Sequence, residues 1–123
     1  MRGRLHHLVI DCADPAALAR FYAALLGLPV TYERHDFVVV SVNGTTSGLA
    51  FQHAPDDHQA PTWPRPAIPQ QMHLDVMVES VAEATPHVLG LGATQLSEDV
   101  FADPAGHPFC LIPRPGWAAP ITD

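Results

Sequence analysis

Residues 7–28 read HLVIDCADPAALARFYAALLGL, a short apolar strand followed directly by an amphipathic helix. Asp14 is a good helix N-cap, and Pro15 suits the first helical position. The apolar residues of the helix recur at intervals of three and four, which is typical of a face packed against a core. They are Leu18, Phe21, Tyr22, Leu25 and Leu26. Gly27 then provides a stop signal, so the stretch predicts a strand and a helix packed together.

The pattern of this stretch recurs once, later in the chain. Residues 7–14 and residues 73–80 both begin with His-Leu, contain strand-type residues and end on a helix N-cap residue. The later parts match as well, since FQHAP at residues 51–55 corresponds to FCLIP at residues 109–113. Self-similarity of this kind indicates a duplicated structural unit. We therefore predict two related modules, residues 1–54 and residues 72–123.

The rest of the sequence contains signals for the remaining strands, turns and helix of the two modules. The strand-like runs are residues 37–42, 48–54, 93–96, 99–103 and 109–113. Asn43-Gly44 predicts a hairpin turn between the first two runs. A capping box at residues 80–83 begins the second helix, and we expect that helix to be short or kinked because Pro86 lies inside it. Residues 55–71 are rich in proline and predict an extended, stiff linker.

Composition excludes several classes of function. Six basic and thirteen acidic residues give a net charge of −7, and the basic residues are scattered, so we expect no nucleic-acid partner. No apolar run is long enough to span a bilayer, and the first residues do not resemble a signal peptide. Cys12 and Cys110 cannot build a disulfide framework and suit a reducing compartment. We expect a cytoplasmic protein without a membrane partner.

Three sequence features together resemble the vicinal oxygen chelate superfamily: HLVIDCADPAALARFYAALLGL, HLDV and DPAGHPFCL. That superfamily includes glyoxalase I, bleomycin-resistance proteins and extradiol dioxygenases, and AFQ, PTWP and QQMHLD resemble its glyoxalase-like subgroup. The resemblance covers nearly the whole chain. It implies an α+β fold of two βαβββ modules, whose curled mixed sheets form a cup. It also implies a homodimer, by analogy with the family.

The resemblance further implies a set of site residues. Metal-using members of the superfamily place one ligand on the first strand and one on the last strand of each module. The corresponding positions here are His7, Gln52, His73 and Cys110, and members commonly have glutamate at the two last-strand positions. Histidine is a common metal ligand, whereas Gln52 offers only a neutral amide. Cys110 suits zinc as a thiolate and is a small buried hydrophobe as a thiol. We expect Trp63 to act as a lid.

Several residues near these positions have predicted secondary roles. Asp11 and Asp75 share strand faces with the two histidines and could replace the missing carboxylates, but a strand residue even one pleat further along lies about 7 Å away. His6 should point to the face opposite His7. We expect Asp103 to hydrogen-bond its own turn. Other aromatic residues that could line an apolar cavity are Tyr32, Phe37 and Phe101.

These observations leave three hypotheses for function. The first is a protein that binds a small apolar or aromatic molecule in the cup, with His7, Gln52 and His73 fixing its orientation. The second is a metal-dependent lyase or isomerase that uses His7 and His73 with Gln52 or Cys110, and a divalent zinc, nickel, iron or manganese ion. The third is an interaction module that uses its sheets only to dimerise. We rank binding above catalysis, because the chain has no complete set of catalytic residues.

Overall fold

Each half of the chain forms a four-stranded mixed sheet with one helix. The structure is a computed structural model and describes residues 1–122. Contacts between residues divide the chain into two units, one spanning Met1–His58 and the other beginning at Gln59. The α+β fold of two βαβββ modules predicted from the sequence is confirmed.

The first unit follows the predicted order of strand, helix and three strands. Its elements are β1 (His7–Cys12), α1 (Pro15–Leu26), β2 (Val30–Arg34), β3 (Phe37–Val40) and β4 (Gly48–His53). The strand order in the sheet is β1-β4-β3-β2. β1 and β4 run parallel, and the other neighbours run antiparallel. A parallel pair needs a long crossover, which the intervening helix and strands supply.

The ends of α1 form as the sequence predicts. The Asp14 side chain accepts a hydrogen bond from the Ala17 N–H at 3.1 Å, and Pro15 is the first helical residue. Gly27 closes the helix in the left-handed conformation at φ 66°, which glycine adopts without steric cost. β2 is the strand that the sequence did not predict. Its residues are mostly exposed and polar, and they become a strand through pairing with β3.

The second unit repeats this arrangement with shorter strands. Its elements are β5 (Leu74–Val78), α2 (Val81–Gly90), β6 (Thr94–Gln95), β7 (Val100–Ala102) and β8 (Pro108–Pro113). The order β5-β8-β7-β6 places the parallel pair at the same end as in the first sheet. Ser80 is confirmed as the N-cap of α2, because Ser80 Oγ accepts from the Glu83 N–H at 3.2 Å. α2 is continuous over ten residues with Pro86 inside it.

Each helix covers one face of its own sheet, which leaves the other face for a site. In the first unit the rings of Tyr22 and Phe51 stack at 5.4 Å on the helix face. In the second unit Phe101 stacks on Phe109 at 5.8 Å, and both rings are buried. The prediction that Phe101 lines a cavity is therefore wrong, since it belongs to the core. We call the face opposite the helix the open face of each sheet.

The segment between the two sheets has no helix or strand from residue 54 to residue 73. The predicted linker, residues 55–71, lies within it. The boundary between the two units falls inside this segment, between His58 and Gln59. Trp63 is half-buried within the segment.

Candidate functional site

The first unit contains a pocket of about 460 Å³. Its floor includes alternate residues of β3 and β4, Phe37, Val39 and Gln52, whose side chains share the open face because neighbouring strand residues point in opposite directions. Further lining residues come from the chain before β1, from β1, from β2 and from the hairpin after β3: His6, His7, Thr31, Tyr32, Arg34, Ser41, Gly44 and Thr46. The pocket is thus aromatic on one side and rich in polar side chains on the other.

His7 has a defined hydrogen-bonding role in this pocket. The Gly48 N–H donates to His7 Nδ1 at 3.1 Å, because the two residues are direct partners in the parallel pair. An imidazole that accepts at Nδ1 carries its proton on Nε2 in the neutral form. Burial, and then the charge of His6, lower the pKa of His7, so that the neutral form prevails at pH 7. His7 can therefore donate a hydrogen bond from Nε2–H to a ligand.

This geometry argues against His7 as a metal ligand. To bind a metal through Nε2, the ring would need its proton on Nδ1, facing the Gly48 N–H. The hydrogen bond would then be lost, at a cost of about 0.5–1.5 kcal/mol, and two donors would oppose each other. The structure therefore does not favour His7 as a member of the metal-ligand set that the family resemblance implies.

His6 lies in the same pocket as His7, contrary to our expectation. The two imidazole rings are 4.0 Å apart between centroids, and His6 is exposed. Alternation between faces holds only within a strand, and His6 precedes β1, which begins at His7. No sequence signal identifies His6 as a pocket residue, since its position depends on the path of the chain before the strand.

The aromatic side of the pocket combines two rings and an amide. The Tyr32 and Phe37 rings meet edge to face at 6.4 Å. Phe37 is the partner of Gln52 across β3 and β4, so ring and amide are neighbours on the open face. Arg34 lies over the Tyr32 ring at 5.8 Å from its centroid, a cation–π contact. The prediction that Tyr32 and Phe37 line a cavity is confirmed.

The two sheets differ in the register of their parallel pairs. His7 and His73 both stand seven residues before a helix N-cap, so Val9 in β1 corresponds to Asp75 in β5. Val9 is paired with Ala50, whereas Asp75 is paired with Cys110. By this register the counterpart of Cys110 is Ala50, and Gln52 lies two residues further along β4. The sequence repeat instead aligned Phe51-Gln52 with Phe109-Cys110. It thereby matched Gln52 to Cys110, because similarity of sequence takes no account of strand pairing.

The second unit brings together three side chains of types that can ligate a metal ion. His73 Nε2 is 3.3 Å from Asp75 Oδ1, and one ligand atom from each of His73, Asp75 and Cys110 lies within 4.8 Å of the other two. We expected Asp75 to lie about 7 Å away, and this expectation is wrong. The estimate measured spacing along one strand, whereas the two side chains converge and Asp75 is also the direct partner of Cys110 on β8.

These three residues are compatible with a divalent metal ion such as zinc. Zinc binds imidazole nitrogen, carboxylate oxygen and thiolate sulfur at about 2.0–2.3 Å, usually as a tetrahedron. Ligand atoms around such an ion lie roughly 3.3–3.8 Å apart. The group would need to contract by about 1 Å to reach this geometry, which rotation of exposed His73 and Asp75 side chains can supply. The positions of the first unit that correspond to Asp75 and Cys110 are Val9 and Ala50, whose side chains offer no ligand atom.

The thiol of Cys110 is held in its protonated form. Burial raises its pKa, and the negative charges of Asp75 and Asp99 raise it further. Cys110 is half-buried, so it is neither a reactive surface thiolate nor a fully enclosed core residue. A cation beside it would reverse this effect, because a metal ion stabilises the thiolate.

The other residues singled out in the sequence lie outside both the pocket lining and the group of His73, Asp75 and Cys110. Trp63 is outside the residues that line the pocket, and its role as a lid stays a prediction. Asp103 is buried and accepts hydrogen bonds from the Ala105 N–H at 2.9 Å and the His107 N–H at 3.0 Å, which confirms its role in the turn. Asp11 lies exposed on β1 opposite Gln52.

Comparison with known proteins agrees with this architecture. The family model described as "Glyoxalase-like domain" matches residues 7–112. The chain thus belongs to the glyoxalase-like domain family, within the vicinal oxygen chelate superfamily. No curated protein sequence matches it. Across the described residues, no helix has the length and apolar character that crossing a membrane requires.

Solved structures share the fold at low sequence identity. A glyoxalase/bleomycin resistance protein/dioxygenase family enzyme from Burkholderia phytofirmans is 16% identical, with a TM-score of 0.68 over 89% of this chain and 97% of that one. A glyoxalase-related enzyme from Fulvimarina pelagi is 17% identical, with a TM-score of 0.68 over 95% and 92%. The trypanothione-dependent glyoxalase I of Leishmania major is 18% identical, with a TM-score of 0.62 over 91% and 87%.

The environment of Cys110 predicts its reactivity. In a Cys12→Ala background, we expect Asp75→Asn to increase the rate of reaction of Cys110 with a disulfide reagent at pH 8 by about two- to fivefold. The reason is that removal of the Asp75 charge lowers the thiol pKa and increases the thiolate fraction. Asp57→Asn, a change of an exposed acid in the first unit, is the control and should leave the rate unchanged. An unchanged rate in Asp75→Asn would contradict this assignment.

Proposed function

We propose that this protein binds a small aromatic or planar organic molecule on the open face of its first sheet. The observation that carries the proposal is the pocket of about 460 Å³ lined by Tyr32, Phe37 and Val39 together with His7 and Gln52. Small-molecule sites commonly occupy about 300–1,000 Å³ and combine an apolar lining with a few placed polar groups. The pocket fits both parts of that description.

The polar groups limit the chemistry of the ligand. Neutral His7 offers a single donor, Nε2–H, so the ligand needs a hydrogen-bond acceptor at that point. Gln52 offers both a donor and an acceptor at the other end of the same open face. A planar ring system against Tyr32 and Phe37, bearing a carbonyl or similar oxygen, satisfies these groups. Binding of this kind requires no general base, and neither His7 nor Gln52 is placed to act as a strong one.

The test measures the binding of 2-naphthamide, a planar aromatic amide, by ligand-observed NMR and by calorimetry. We expect Phe37→Ala to weaken the affinity by about tenfold, because it removes most of one aromatic wall. His7→Ala should weaken it by roughly fivefold through loss of one hydrogen bond. Both variants should retain the fold, since Phe37 and His7 are only partly buried.

Two matched substitutions serve as controls for this experiment. Val42→Ala changes an exposed apolar residue near the end of β3, outside the lining. His35→Ala changes an exposed histidine of the same unit, also outside the lining. Both should bind 2-naphthamide as the parent does. Equal loss of binding in the controls and the pocket variants would reject the proposed site.

A second candidate function rests on the group His73, Asp75 and Cys110 in the second unit. We propose that these three side chains can hold one divalent metal ion, with a coordination position left for water or a substrate oxygen. A metal ion with an open position polarises a bound oxygen, which is the chemistry that a lyase or isomerase of this kind would use. The ligand group includes Asp75 and excludes His7 and Gln52, and it therefore differs from the set implied by the family resemblance.

The metal proposal predicts a specific pattern of variants. In titrations with Zn²⁺ and Co²⁺, we expect one ion per chain and a near-ultraviolet thiolate-to-cobalt absorption band. His73→Ala and Cys110→Ala should each weaken the affinity by more than about tenfold, and Cys110→Ala should abolish the band. His7→Ala removes a histidine of the first unit outside the group and is the control, which should leave the affinity unchanged. A Co²⁺ complex that persists without the band, or equal affinity in His73→Ala, would exclude this ligand set.

We also propose that the chain forms a homodimer, as the family resemblance implies. Val9 and Met77, 44% and 41% exposed, present apolar side chains on the two sheets, and a second copy could bury them. Light scattering after gel filtration should give about twice the chain mass of 13.3 kDa. A mass of one chain that persists as the protein concentration rises to the millimolar range would contradict the proposal.

A further inference from the structure

A second cavity adjoins the pocket of the first unit and differs from it in character. Its volume is about 310 Å³, and it shares four lining residues with the pocket: His6, His7, Gly44 and Thr46. Its remaining lining residues are Arg4, Leu5, Thr45 and Ser47. The four shared residues place the two cavities side by side near the beginning of β1.

The charge of these two linings is opposite to that of the protein. The chain carries thirteen acidic and six basic residues, yet neither lining includes an aspartate or a glutamate. Two of the six basic residues, Arg4 and Arg34, are present instead. Arg34 is 3.6 Å from an Asp36 carboxylate oxygen, which offsets part of its charge. Arg4 and the imidazole of His6 are left to make the second cavity attractive to an anion.

A hydrogen bond positions the basic residues at the cavity. The Ser47 hydroxyl donates to the Leu5 carbonyl oxygen at 2.5 Å, which ties the chain before β1 to the hairpin between β3 and β4. Leu5 lies between Arg4 and His6, so the same bond places both residues beside the hairpin. The hairpin itself is ordered by Asn43, whose side-chain oxygen accepts from the Thr45 N–H at 2.9 Å. Hydrogen bonds therefore hold both the segment that carries Arg4 and His6 and the hairpin beside it.

We propose that the ligand of this site is an aromatic carboxylate, with its ring in the pocket and its carboxylate in the second cavity near Arg4 and His6. This inference rests on the proposed function of the first sheet and adds the chemical class of the ligand. Guanidinium and carboxylate groups are both planar and form paired, charge-assisted hydrogen bonds. His7 lines both cavities, and we assign its Nε2–H donor to the same carboxylate.

The experiment compares 2-naphthoate with 2-naphthamide, which have the same ring system and differ in charge. We expect the parent protein to bind the carboxylate more tightly at low salt, and the preference to shrink at about 0.5 M salt because exposed charges are screened. Arg4→Gln should reduce the affinity for 2-naphthoate by roughly fivefold and leave that for 2-naphthamide unchanged. Arg2→Gln removes an equal charge from the same segment but outside both linings, and it should have little effect.

The outcomes separate this inference from the proposal on which it rests. If both compounds bind equally, or if Arg4→Gln and Arg2→Gln act alike, the carboxylate assignment is overturned while binding of a planar molecule stands. If neither compound binds, the proposed function fails and the inference fails with it. Preference for the carboxylate that depends on Arg4 and not on Arg2 supports the assignment.

Discussion

Parallel pairing of the first and last strands within each module is the constraint on which both candidate sites depend. β1 pairs with β4 and β5 pairs with β8, and in each case the chain must cross over through a helix and two further strands. The register of that pairing decides which side chains meet. In the first unit it sets the Gly48 N–H against His7, and in the second it sets Asp75 against Cys110.

The same topology therefore places different side chains at equivalent positions of the two units. The first unit has apolar residues, Val9 and Ala50, where the second has Asp75 and Cys110. A carboxylate and a thiol beside an imidazole favour a cation, whereas an apolar pair offers a cation no ligand atom. The divergence lies in side chains at equivalent strand positions, and the backbone arrangement is shared. Membership in the glyoxalase-like family by itself thus leaves the chemistry of each unit open.

The outline of the fold could be predicted because its signals are local. Asp14 and Ser80 cap the two helices through contacts with residues three positions away, and such contacts can be read from the sequence. The repeat of a His-Leu strand before each helix predicted the duplication. β2 was missed because its exposed, polar residues carry no clear strand pattern, and only pairing with β3 makes them a strand.

The candidate sites were predicted in part, and the errors have a common cause. The sequence pointed to His7, His73 and Cys110 through the repeat, but it placed Asp75 too far from His73. It also placed His6 on the wrong face. Both errors come from reasoning along one strand, whereas the distances that matter run between strands or depend on the chain before a strand begins.

The sequence by itself determined the family, the two βαβββ modules and the residues from which a site could be built. These follow from helix caps, apolar periodicity and a repeat, which act over a few residues. Only the tertiary structure decided which of those residues meet. Strand register sets contacts between residues more than thirty positions apart, and a shift of two residues exchanges one pair of neighbours for another without changing the pattern of either strand. That is why Asp75 stands beside Cys110 in the second sheet.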